Sequence, residues 1–161
     1  MNGVAVVLEA LQRGERHLSA EFLAMAWHHR QEHEVHHVAT DLAHWSAEHG
    51  RLLAEALDHY GPPDDHYGPT DPAPSLSAAQ DGADAPGPDD PGLRLLEDLR
   101  ALHLAVAGNG AYWQMLSQAA SATRDARLDA LVSHCRPRGQ RQLRWTESMI
   151  KNLSAQILTA S

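Results

Sequence analysis

GPPDDHYGPTDPAPSLSAAQDGADAPGPDDPG, residues 61–92, decides how the rest of the chain is read. It holds eight of the nine prolines and seven aspartates (64, 65, 71, 81, 84, 89 and 90), and no lysine or arginine. It therefore carries -7 of the net charge of -8. Apolar periodicity is nearly absent, so the segment cannot bury enough surface to offset the entropy of ordering it. This composition predicts a mobile acidic linker between two other blocks, residues 1–60 and 93–161.

Working outward, both flanking blocks read as helices. In the first, Val4, Leu8, Leu11, Glu15, Leu18, Phe22, Met25 and His29 recur at alternating spacings of four and three. That is one face of a helix. A second stripe runs through Val35, Val38, Leu42, Trp45, His49, Leu52 and Ala56, out of phase with the first, which predicts a turn at Gln31–Glu34. In the last block Leu96, Leu99, Leu102, Val106, Trp113, Leu116 and Ala120 form a third stripe, interrupted by Gly108-Asn109-Gly110. Leu128, Leu131, Val132, Cys135, Gln142, Trp145, Met149 and Leu153 form a fourth, with a short turn at Ser121–Asp125 between them. The two glycines predict a kink or a close helix approach, and Pro137 a kink or break in the fourth helix. No alternating Val/Ile/Thr run signals a strand. The expectation is an all-α chain, a single four-helix-bundle domain of two hairpins (1–60 and 93–161) joined by a long connection. A long connection favours the crossover arrangement, since an up-down-up-down bundle needs only a few residues there.

Composition narrows the function. The 161 residues are 43% apolar, enough for one core, yet no apolar run approaches the roughly 18 residues of a membrane span. The opening MNGVAVVLEAL lacks the basic and apolar regions of a signal peptide. A lone cysteine, Cys135, excludes an internal disulfide and fits a reducing compartment, which points to the cytoplasm. The acidic balance argues against nucleic acid as partner.

The strings EFLAMAWHHRQEHEVHHVATDLAHWSAEHGRLL and LVSHCRPRGQRQLRWTESMIKNLSAQIL, residues 21–53 and 131–158, resemble a group of ferritin-like bundle proteins from high-GC actinobacteria. The resemblance covers both helical blocks and implies a ferritin-like fold; it implies no activity. It also exposes a departure: where acidic residues are expected within HCRPRG, this chain has His134, Arg136, Pro137, Arg138 and Gly139.

Histidine is the outlying residue type, with 12 in all and seven between His28 and His49. A ferritin-like di-metal centre takes a carboxylate from each of two helices and an E-x-x-H pair from each of the other two. Here Glu34-Val35-His36-His37 and Asp41-Leu42-Ala43-His44 both fall on the second helix, and the fourth has neither, so a complete di-iron set is not encoded. A simpler site remains open. His29, His33 and His37 succeed one another at i, i+4, and with Glu34, Asp41 and His44 they form a candidate site for Zn, Ni, Fe or Mn. The alternative is a solvated polar end of the bundle.

Glu15 and His49 lie on core stripes, each 17 residues from a turn at 32, so they should meet at one level. A buried carboxylate needs a partner. His49 and Arg138 are the candidates, as a degenerate centre in which a guanidinium stands in for a cation, or as a polar layer that sets helix register. Nucleophilic catalysis has little support: His134 and Cys135, as neighbours on a helix, point about 100° apart. Leu23 and Trp27 lie off the core stripe and predict a homodimer contact on the first helix. Three functions follow as expectations: weak divalent-metal binding by a ferritin-like bundle, a non-catalytic interaction or adaptor protein, and a carrier or sensor whose histidines respond to pH or metal.

Overall fold

A computed structural model describes residues 2–61 and 89–160. The predicted mobility of the acidic segment lies outside the described residues, except for Gly61 and residues 89–92. Among the described residues there are four helices, α1 (Gly3–His28), α2 (His33–Tyr60), α3 (Pro91–Thr123) and α4 (Ala126–Thr159), and no strand.

Local chemistry sets the helix ends. The Asn2 side chain accepts from the Ala5 amide at 3.1 Å, and Asp90 accepts from Leu93 at 3.0 Å with Pro91 in the first helical turn. Asp125 accepts from both Arg127 and Leu128 at 3.1 Å. Gly61 ends α2 with a positive φ of 81°. Arg124 takes the left-handed conformation at the α3–α4 corner, where it allows the chain to reverse within two residues. The α1–α2 turn carries no glycine or proline and occupies residues 29–32, two residues earlier than the stripes imply. Pro137 does not break α4, and the Gly108–Gly110 stretch lies inside a continuous α3.

Side-chain contacts give each helix its direction. Asn2 Nδ2 donates to the Tyr60 carbonyl at 2.7 Å, and the Tyr60 hydroxyl donates to Asp125 at 2.5 Å. One end of the bundle therefore holds the start of α1, the end of α2 and the start of α4. At the other end His29 meets Asp98 at 2.7 Å, and Gly92 lies against Ile157. So α1 and α4 run one way and α2 and α3 the other. In cross-section α1 packs beside α2 and α3, α4 beside α3 and α2, and α2 lies diagonal to α3.

The core comes in two parts. Leu18, Phe22, Met25, Leu42, Leu99 and Met149 belong to the part at the His29 end. Leu8, Leu11, Leu53, Trp113, Leu128 and Cys135 belong to the other. Between them, close to the midpoint of each helix, sit the buried polar residues Glu15, Ser46, His49, Asn109 and Gln142. Leu96, read as core from its stripe, is half-buried, and Leu95 beside it is buried.

At this level α1 and α3 approach closely. A Cβ on Gly14 would collide with the Asn109 side-chain amide. Helix propensity alone favours alanine over glycine by about 1 kcal/mol. Gly14→Ala is nevertheless expected to lose about 1–3 kcal/mol through overpacking. In an Asn109→Ala background the same change should be neutral or stabilising. Urea denaturation of the four variants checks that reversal of sign.

Candidate functional site

The polar layer is built from all four helices. Glu15, on the core stripe of α1, is 1% exposed, and His49 on α2 is fully buried. Glu15 Oε1 accepts from Trp113 Nε1 at 3.0 Å, and Oε2 lies 3.5 Å from His49 Nδ1. The imidazole stands edge-on to the Trp113 ring, with centroids 6.0 Å apart. From α4, Gln142 donates to the Leu42 carbonyl at 3.0 Å and to the Ser46 hydroxyl at 2.8 Å. Among the described residues, Glu15 Oε2, both His49 nitrogens, Asn109 Nδ2 and Gln142 Oε1 make no hydrogen bond. Five such atoms at one level are a concentration of polarity rare in an apolar core, and two of them, Glu15 Oε2 and His49 Nδ1, face each other.

Arg138 corrects the sequence reading. It does not join Glu15 and His49 but donates to Glu48 Oε2 at 2.5 Å, near the α2–α4 surface. His134 lies 3.4 Å from the other oxygen of Glu48, and the guanidinium stands over the Trp45 ring at 5.7 Å. The reason is angular: residue 138 is displaced from the line of Cys135 and Gln142 by about half of the 100° helical step, onto the flank of α4. There the guanidinium reaches a carboxylate while both stay hydrated. The Arg138 hydrogen bond holds the Glu48 carboxyl below its ordinary range, against the opposing effect of burial. Cys135 is buried beneath this cluster. Desolvation first, then the Glu15 and Glu48 carboxylates, push its thiol up to about 12, so it stays protonated and unreactive at neutral pH.

The six candidate metal ligands fall into two groups. His33, His37, Asp41 and His44 follow one another at steps of four, four and three along one exposed face of α2. The His33 and His37 rings stack with centroids 5.9 Å apart. His36 is engaged elsewhere, its Nδ1 donating to the Ala26 carbonyl at 2.9 Å and fastening α2 to α1. His29 caps α1 and turns to Asp98 of α3. With Glu34 it lines an open cavity of about 960 Å³ at the end of the bundle. Among the described residues, no three His, Cys, Asp or Glu side chains converge as a metal ion would require.

Two partners went unread in the sequence. Trp113 lies on the third stripe, but its indole N–H as a donor to Glu15 is a polar role hidden in an apolar position. Asp98 is 69 residues from His29, and nothing local joins them. Compared with protein-family models, curated proteins and solved structures, the chain matches none.

Proposed function

We propose that this protein binds divalent transition metal ions weakly at its surface, through a histidine face carried on a ferritin-like scaffold whose centre has lost a metal set. The observation that carries this reading is the stacked His33–His37 pair. Two imidazoles one helical turn apart, both exposed, form a two-coordinate chelate that leaves the remaining positions on the ion to water. Asp41 and His44 extend the same face and offer alternative pairs. The ferritin-like topology is supported by the parallel, diagonal placement of α2 and α3. A chain joining the end of α2 to the start of α3 has to span the bundle's length, as a ferritin-like crossover does. The degenerate centre is supported by the make-up of its polar layer, in which the neutral Trp113 indole and Gln142 amide accompany a single carboxylate, that of Glu15.

Calorimetric titration with Zn²⁺ or Ni²⁺ tests the proposal. Binding should be weak to moderate, and weaker in acid, because protons and metal compete for the same ring nitrogens. His33→Ala with His37→Ala should remove most of it, while the fold, judged by circular dichroism, stays intact. An unchanged affinity in the double variant rejects the assignment.

A further inference from the structure

We infer that the His29 end of the bundle is a docking surface for a basic amphipathic segment of a partner protein. The cavity of about 960 Å³ opens where α1 ends, α2 and α3 begin and α4 finishes. Its floor is apolar, formed by Val35, Leu95, Met149, Leu153 and Ile157. Its rim is acidic, with Glu32, Glu34, Asp90, Glu97 and Asp98 against Arg30 and Arg94, and with His28 and His29 beside them, His29 joined to Asp98. Among the described residues Glu32, Glu34 and Glu97 make no ion pair, and Arg30 is engaged by Trp27, its guanidinium lying 4.2 Å from the ring centroid. The rim therefore presents an excess of negative charge around an apolar hollow.

The surroundings extend that surface beyond the cavity. Five large apolar residues are exposed on the described molecule, and four of them lie at this end: Leu23, Trp27, Leu93 and Leu158. Trp27 is 62% exposed and Leu158 65%. Leu93 lies between the lining residues Gly92 and Arg94, and Leu158 follows the lining residue Ile157. Exposed tryptophan beside a cavity is the composition of an interface centre, and apolar side chains gathered at one place mark a site of association. An apolar floor within a charged rim is the receiving half of helix-in-groove recognition.

Charge selects among occupants. A second copy docking end to end would set one acidic rim against another. An anionic lipid surface would meet the same repulsion. A helix with lysine or arginine flanking an apolar face satisfies both the floor and the rim.

The test uses the full chain and an 18-residue helical peptide of leucine and lysine with one apolar face, labelled for fluorescence anisotropy. It should bind one to one and weaken with added salt. Glu32→Lys with Glu97→Lys should weaken it about tenfold. Glu9→Lys with Glu55→Lys makes the same change in net charge away from the cavity and should leave binding near the unaltered value. Trp27→Ala should also weaken it, and a lysine–serine peptide of equal length should bind far less tightly. Equal losses in the two charge variants would mean general electrostatic attraction and would overturn the inference. So would equal affinity for the lysine–serine peptide, or a dimer in sedimentation that the leucine–lysine peptide fails to dissociate, which would give this face to a second copy. Binding of the unaltered chain to anionic vesicles that is lost in Trp27→Ala would assign the face to a membrane and reject it equally.

Discussion

Trp113→Ala is expected to cost about 3–5 kcal/mol, enough to unfold a domain of ordinary stability or leave it barely folded. The side chain is one of the largest fully buried groups, and it belongs to the core part that also holds Leu8, Leu53 and Leu128. Its removal opens a cavity and strips Glu15 Oε1 of its donor. Trp113→Phe separates the two effects. It keeps most of the packing and deletes only the N–H, so the loss should be about 1–3 kcal/mol, the cost of a buried acceptor left unsatisfied. Urea midpoints measured by circular dichroism give both numbers. A Trp113→Phe variant as stable as the parent would mean that the 3.0 Å bond to Glu15 contributes nothing.

The second large effect concerns Glu15 and His49. Each replaced alone by leucine should destabilise by about 3–5 kcal/mol, because the survivor remains buried without its opposite number. Replacing both should cost well under the sum, with a coupling of about 1–3 kcal/mol. The pair is 3.5 Å apart and shares Trp113, so the changes cannot act independently. Strict additivity in the cycle would show that the two groups do not interact, and the layer would then be two unrelated polar substitutions in an apolar core.

How much could be read from the residues follows from the range of the forces involved. The 3.6-residue stripes located Leu8, Leu11, Leu18, Phe22, Leu99 and Trp113 in the core, since the period of a helix is local and apolar burial enforces it. The distance of Glu15 and His49 from a common turn placed them at one level, because two antiparallel helices advance equally per residue. What escaped depended on partners far away in sequence or on angles smaller than a stripe resolves. Arg138 missed the core by the half-step between the face of α4 and its flank. Asn109 reads as part of a glycine-rich interruption, yet it packs on Gly14, 95 residues earlier. Trp27, one of four tryptophans spaced one to a helix, lies outside the core that Trp113 enters. The division of the candidate ligands between an exposed face of α2 and the end cavity could not be read from spacing, because His29 precedes the turn and His33 begins the next helix.

The helix directions have an electrostatic consequence. Every neighbouring pair is antiparallel, so each end of the bundle collects two positive and two negative helix poles and their fields largely cancel. Within that balance, some poles carry a terminal side chain of matching character and others carry none. Because α2 and α3 both begin at the end that holds the cavity, carboxylates are favoured there, and Glu34 lies in the first turn of α2 while Asp90 caps α3. α1 finishes there with His28 in its last turn and His29 as its cap, whereas the last turn of α4 at the same end holds no basic residue. Helix polarity thus accounts for only part of the meeting of histidines and carboxylates at this end, and with the poles balanced its net sign is set by side chains.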